Sequence, residues 1–132
     1  MNYLKNEKAR YIAELAEASF KFDQAKDKES GVTYDSDDFI ERILAPASKP
    51  RQALLDELDT LSQAEAVELV ALMYVGRGDY IDDEDDKGQV KHAFQTQVDD
   101  FSNREAGELT RICAEKDLVL HRYLNEGLKR LA

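Results

Sequence analysis

The apolar residues of the chain recur at helical spacings, and no segment alternates as a surface strand would. Near the N-terminus, an apolar stripe with steps of three, four and seven residues predicts one long helix over about residues 3–28. The stripe consists of Leu4, Tyr11, Leu15, Ala18, Phe22 and Ala25. We interpret it as the face that packs on the protein's own domain. The alternative is that it binds a partner helix, which includes a homodimer formed through this N-terminal helix.

Residues that end and start helices divide the next stretch. Gly31 predicts the end of the first helix, because glycine readily adopts the left-handed conformation at a helix C-terminus. Residues 35–37 are good N-caps for a short helix that ends before Pro46. Its apolar face would consist of Phe39, Ile40, Ile43 and Leu44. Pro50 suits the first turn of the following helix, where a missing N–H costs nothing.

The segment over about residues 63–75 predicts a helix at the centre of the fold. Ser62–Glu65 has the spacing of a capping box, in which serine and glutamate each accept a backbone N–H. Leu69–Val75 is apolar on every face, and a helix that is apolar all round is usually buried all round. Gly76 and Gly78 predict the turn that ends this helix.

Three more helices follow, so the whole chain is predicted to form one all-α domain. Asp86 and Gln89 have the spacing of an N-cap and its partner, and Ser102 and Glu105 repeat it. The C-terminal stretch predicts two helices that are separated near residues 114–117. The fold expected is a bundle of six to seven helices around the buried central helix.

The charge of the chain is unbalanced and concentrated in one place. With 18 Lys and Arg against 28 Asp and Glu, the net charge of the 132 residues is −10. Residues 79–87 hold six acids and one lysine, so they supply half of that excess. Such a protein is repelled by nucleic acids and anionic lipids, which predicts neither as a partner. The longest apolar run has seven residues, whereas a membrane-spanning helix needs about 20.

We expect this acidic segment to bind a basic protein partner. The candidate binding residues are Arg77, Asp79, Asp82, Asp83, Glu84, Asp85 and Asp86. The alternative is a divalent cation, since close carboxylates repel one another. An EF-hand loop is excluded, because placing Gly88 at its sixth position puts Lys87 at the fifth and Phe94 at the twelfth. A looser metal site stays open at this point, and no cofactor is predicted.

The other chemically reactive residues have no partners at the spacing that catalysis or metal binding requires. His92 and His121 have no second histidine or cysteine three or four residues away. Cys113, the single cysteine, is interpreted as a small apolar residue of a helix. Phosphate-binding loops and the serine nucleophile motif are both absent from the sequence.

Two stretches resemble an uncharacterised family of small bacterial proteins. Leu69–Asp79 matches that family's core of Leu-Val-Ala-Leu-Met-aromatic-x-Gly-Arg-Gly-Asp, and Tyr123–Leu128 matches its C-terminal Tyr-Leu-x-Glu-Gly-Leu. The resemblance covers about residues 61–131. It implies a bacterial, helical, non-secreted protein and carries over no catalytic residue. It also implies that residues 76–79 do more than end a helix.

The function expected is therefore a non-enzymatic acidic interaction or regulatory module. One cysteine and an N-terminus without an apolar stretch predict a cytoplasmic protein. The alternative function is a protein that binds a divalent metal or a small molecule, and could be an enzyme, through the acidic segment.

Overall fold

The computed structural model describes the backbone of residues 1–30 and 47–132, and the side chains of residues 1–25 and 47–132. Six helices lie in these ranges. They are α1 (Asn6–Ser30), α2 (Lys49–Asp59), α3 (Gln63–Arg77), α4 (Lys87–Phe101), α5 (Ala106–Glu115) and α6 (Leu120–Leu131). The described residues contain no strand, which confirms the all-α prediction. Gly31, the predicted short helix after residues 35–37 and Pro46 lie outside the described residues.

Helix α3 lies at the centre of the fold, as its sequence predicts. Nearly every residue from Ala66 to Gly76 is buried, and Leu69 to Met73 are completely inaccessible to solvent. Helices α4, α5 and α6 all pack on α3, whereas α1 packs on α2 and α6. Because three helices and the N-terminal segment cover it, α3 needs no polar face. No helix in the described parts of the chain combines the length and apolar character needed to cross a lipid bilayer.

Side-chain caps fix where the helices begin. Ser62 Oγ accepts the Glu65 N–H at 3.2 Å, and the Glu65 carboxylate accepts the Ser62 N–H at 3.0 Å, which confirms the capping box. The bond from the Ser62 backbone holds the pKa of Glu65 below its ordinary value. Asp86 accepts the Gln89 N–H at 3.2 Å and caps α4. Pro50 lies in the first turn of α2, as expected.

The predicted cap at Ser102 is wrong. Ser102 has a right-handed helical backbone and ends α4, and its hydroxyl donates to the Asp99 carbonyl at 3.0 Å. An N-cap serine instead needs an extended backbone, which turns its oxygen towards the next helix. Glu105 takes the N-cap position of α5, without a capping side-chain bond.

The face of α1 that packs on the domain differs from most of the predicted stripe, of which Leu4 is buried and Leu15 is partly buried against the core. The buried positions are Ala9, Ile12, Ala13, Ala16 and Ser19. By contrast, Tyr11 is 48% exposed and Phe22 is 45% exposed, and Ala18 and Ala25 are also exposed. Small side chains let α1 approach its neighbours closely, and this packing outweighs the greater hydrophobicity of the stripe.

Gly76 has a different role from the one its sequence position predicts. It is a buried residue within α3, and the turn begins at Gly78, whose φ of 98° is the left-handed conformation of a C-cap. A Cβ on Gly76 would overlap the backbone carbonyl of Tyr123 in α6. Likewise, a Cβ on Gly127 of α6 would overlap the Leu72 carbonyl oxygen. The two glycines therefore allow the backbones of α3 and α6 to touch.

Candidate functional site

The acidic loop, defined as residues 79–86, joins the centre of the molecule to α4 and has a definite conformation. Its residues from Asp82 to Asp86 are all exposed. Gln89 Oε1 accepts the backbone N–H groups of both Asp82 and Asp83, each at 2.6 Å. Asp83 in turn accepts the Asp85 N–H at 3.0 Å. These bonds order the backbone of the loop while residues 82–86 stay exposed.

At the start of the loop, Asp79 forms an ion pair with Arg77. Arg77 Nε and Nη2 donate to the two carboxylate oxygens of Asp79 at 2.9 and 2.6 Å. These bonds raise the pKa of Arg77 above its ordinary value. The guanidinium also covers the ring of Tyr74, 4.6 Å from its centroid, and Tyr74 stacks on Phe101. Two of the predicted binding residues therefore neutralise each other and shape the turn.

Arg130 of α6 attaches the loop to the helical core. It donates to the carbonyls of Val75 and Gly76, at 2.6 and 2.9 Å, and so satisfies the C-terminal end of α3. Its other terminal nitrogen donates to the Glu84 carboxylate at 3.2 Å. Lys87 extends the link, because its Nζ donates to the carbonyls of Arg130 and Ala132. The acidic loop is therefore fastened to the ends of two helices.

The carboxylates of the loop fall into two groups. Asp79 and Glu84 are ion-paired. Asp86 caps α4, and Asp83 accepts the Asp85 N–H. Within the described residues, Asp82 and Asp85 have no ion pair and their carboxylates accept no hydrogen bond. The free negative charge of the loop is thus concentrated at its tip.

Tyr80 is an exposed aromatic residue beside these acids. Its side chain is 64% exposed, and its φ of 63° lies in the left-handed region that residues with a Cβ rarely adopt. The Ile81 N–H donates to the Gly78 carbonyl at 3.2 Å and closes the turn around it. Such a backbone conformation is strained and persists only where the surrounding structure holds it. Tyr80 was not among the predicted binding residues, although an aromatic residue between Asp79 and Asp82 was a usable signal.

Gln89 and Arg130 were also missed as residues of this site. Gln89 stands three residues after the N-cap and looked like a capping partner, but its side chain turns back to the loop. Arg130 lies 46 residues after Glu84, at a distance along the chain that no local pattern spans. Only the packing of α6 on α3 brings that arginine to the loop.

The described residues provide no grouped metal ligands and no activated nucleophile. Nowhere among them do three His, Cys, Asp or Glu side chains converge in a way that could hold a metal ion. His92 is exposed, and His121 stacks on Phe20 with 5.0 Å between ring centroids. Cys113 is completely buried, and this burial raises the pKa of its thiol to about 12. The geometry therefore gives no support to the metal-binding alternative.

A second polar feature lies in the N-terminal half of α3, at Glu68. This buried carboxylate accepts the backbone N–H groups of Asn2, Tyr3 and Leu4 at 2.8, 2.7 and 2.7 Å. A cleft of about 350 Å³ adjoins it, with Phe94 among its lining residues. Because both oxygens of Glu68 already accept bonds from the N-terminal segment, we assign the residue a structural role.

Comparisons with known proteins give a family and no function. Neither a curated protein nor a solved structure matches the chain. The family model described as a protein of unknown function (DUF3775) matches residues 51–132, which run from the first turn of α2 to the end of α6. The match includes α3, the acidic loop and Arg130. The chain therefore belongs to DUF3775, a family of proteins of unknown function.

Proposed function

We propose that this protein is a non-enzymatic interaction module that presents its acidic loop to a basic partner protein. The observation that carries the proposal is Tyr80, an aromatic side chain 64% exposed and fixed at positive φ in the same loop as the carboxylates of Asp82 and Asp85. Tyrosine is enriched among the residues that dominate protein–protein binding energies. The acids around it would complement lysine and arginine side chains of the partner.

The order of the loop supports binding with a small entropic cost. Gln89, Arg130 and the Asp86 cap hold the backbone in one conformation before any partner arrives. A surface that is already ordered loses less conformational freedom on binding than a mobile segment does. The free carboxylates of Asp82 and Asp85 would also accelerate encounter with a positively charged partner, most strongly at low salt.

The compartment proposed is a bacterial cytoplasm. Cys113 is the single cysteine of the chain and is present as a free thiol. Proteins of reducing compartments commonly keep their cysteines in this form.

The proposal is tested by affinity capture from a lysate of the source organism. The bait is the purified protein, compared with a triple variant in which Asp82→Asn, Asp83→Asn and Asp85→Asn remove charge without changing side-chain size. A second variant, Tyr80→Ala, removes the aromatic side chain. We expect both variants to lose the basic proteins that the wild type captures, and we expect 0.5 M salt to release them.

A matched control removes three exposed acids from other parts of the surface, by Asp56→Asn, Asp100→Asn and Glu115→Gln. This variant should capture the same proteins as the wild type, because only the acidic loop is proposed to bind. If the loop triple variant captures the same basic proteins in the same amounts as the wild type, the proposal is wrong.

A further inference from the structure

Most of the apolar stripe of α1 between residues 11 and 22 is open to solvent in the described part of the molecule, and Leu15 is partly buried against the core. Tyr11 and Phe22 are each nearly half exposed, Ala18 is exposed and Leu15 is half-buried. These side chains are spaced so that they lie along one side of the helix, as in the seam of a coiled coil. Lys8, which interrupts the stripe, contacts Glu65 at 3.7 Å and therefore faces its own domain.

The stripe is complementary to itself when two copies of α1 run in opposite directions. Consider a pair of antiparallel helices in which Leu15 faces Ala18 of a second copy. Tyr11 lies four residues before Leu15, and Phe22 lies four residues after Ala18. The same register therefore sets Tyr11 against Phe22 of the second copy. Each large side chain of the central pair meets a small one, and two aromatic pairs close the ends of the seam.

The charges beside the stripe favour the same antiparallel direction. Glu14 and Lys21 are seven residues apart, so they occupy the same flanking position in successive heptads, and both are exposed. In the antiparallel register, Glu14 of each copy lies beside Lys21 of the other. In a parallel pair, a flanking residue faces the residue five positions later in the other copy, so Glu14 would face Ser19 and form no ion pair. The antiparallel direction thus gains two ion pairs between Glu14 and Lys21 that the parallel direction lacks.

We propose that the protein forms a homodimer through the exposed stripe of α1, with the two helices antiparallel. The interface has two-fold symmetry, so every contact occurs twice. Lys21 contacts Glu17 of its own helix at 3.0 Å and would gain Glu14 of the second copy as an additional partner. This interface is separate from the acidic loop, and the proposal stands without the function proposed above.

Charge reversal combined with sedimentation equilibrium tests this arrangement. The wild type should change from monomer to dimer as the concentration of the full-length protein rises. Glu14→Lys alone places two lysines beside each other at both ends of the seam, and Lys21→Glu alone places two glutamates there. Because the symmetry doubles each effect, we expect each single variant to raise the dissociation constant at least tenfold. The double variant, Glu14→Lys with Lys21→Glu, restores opposite charges and should dimerise like the wild type.

The control is Lys91→Glu, an equal change of charge at an exposed position of α4. It should leave the dissociation constant within twofold of the wild type. Circular dichroism establishes that every variant keeps its helix content. A wild type that stays monomeric at all concentrations overturns the proposal, whatever else covers the α1 face. Single variants that dimerise like the wild type, or a double variant that stays monomeric, overturn it equally.

Discussion

Glu68 is the only charged side chain among the buried residues in the described part of the protein. It is 4% exposed within the central helix, where an ionised carboxylate without partners would be strongly destabilising. Three backbone N–H groups from residues 2–4 supply those partners. The carboxylate thereby connects the segment that precedes α1 to the middle of α3. A polar group in the core acts here as a fastening point for the chain.

The substitution Glu68→Gln keeps the shape of the side chain but turns one acceptor oxygen into a donor nitrogen. An N–H donor then faces another donor, and we expect the free energy of unfolding to fall by about 2 kcal/mol. Urea denaturation measures this change, and hydrogen exchange should show faster exchange of the amides at residues 2–4. Glu126→Gln, at an exposed position of α6, is the control and should change neither quantity. Unchanged protection of the three amides would contradict the structural role of Glu68.

Cys113 illustrates how burial removes the reactivity of a thiol. Its pKa is raised to about 12 by desolvation, so the thiolate that reacts with electrophiles is nearly absent at pH 8. We expect the folded protein to react with a disulfide reagent on the order of 10³-fold more slowly than the protein unfolded in guanidinium. Absorbance of the released thiol measures both rates. Equal rates in the two states would show that Cys113 is accessible.

At the scale of elements, the crossing of α3 and α6 organises the fold. Gly76 and Gly127 each meet the backbone of the opposite helix, where no side chain would fit. This contact also explains part of both stretches that carry the family resemblance, since Gly76 lies in one and Gly127 in the other. The close approach brings Arg130 to the carboxyl end of α3 and so to the acidic loop.

Adding one methyl group at either glycine should force the two helices apart. We expect Gly76→Ala and Gly127→Ala each to lower the free energy of unfolding by about 3 kcal/mol or more, as overpacking against backbone does. Gly107→Ala is the matched control, because a Cβ at that position of α5 meets nothing within 4 Å. It should raise stability by about 0.5–1 kcal/mol through higher helix propensity. Thermal and urea unfolding compare all three variants, and three equal effects would contradict the close crossing.

The sequence predicted those elements whose signals are local. The capping box at Ser62 and the apolar run after it each span only a few residues. Together they are enough to predict α3. The buried face of α1 could not be found in this way, because Ala9, Ala13 and Ala16 are weakly apolar and are selected by the neighbours they touch. The same reason hid the contact of Arg130 with the acidic loop. Local patterns predict helices and caps, whereas side-chain partners far apart in sequence depend on packing.

Across the whole molecule, the acidic residues are concentrated in one part of the chain, and this concentration does not favour the stability of the fold. Residues 35–100 hold 17 acids and six bases, whereas the segments on either side are nearly neutral. Concentrated like charge costs stability through repulsion, and a fold selected for stability alone would spread it. At the tip of the acidic loop, Asp82 and Asp85 have no ion pair among the described residues to offset that repulsion.

The triple variant Asp82→Asn, Asp83→Asn and Asp85→Asn should therefore fold at least as well as the wild type. We expect its melting temperature to be equal or up to about 3 °C higher at low salt, and the difference to vanish at 0.5 M salt as screening removes the repulsion. Asparagine at position 83 still accepts the N–H of residue 85, so the loop keeps its shape.

The control, Asp79→Asn with Glu84→Gln, removes acids that are paired with Arg77 and Arg130 and should lower the melting temperature. A triple variant that melts well below the wild type would mean that these carboxylates hold the fold together. A variant with full stability that no longer captures basic proteins would mean that their charge serves binding.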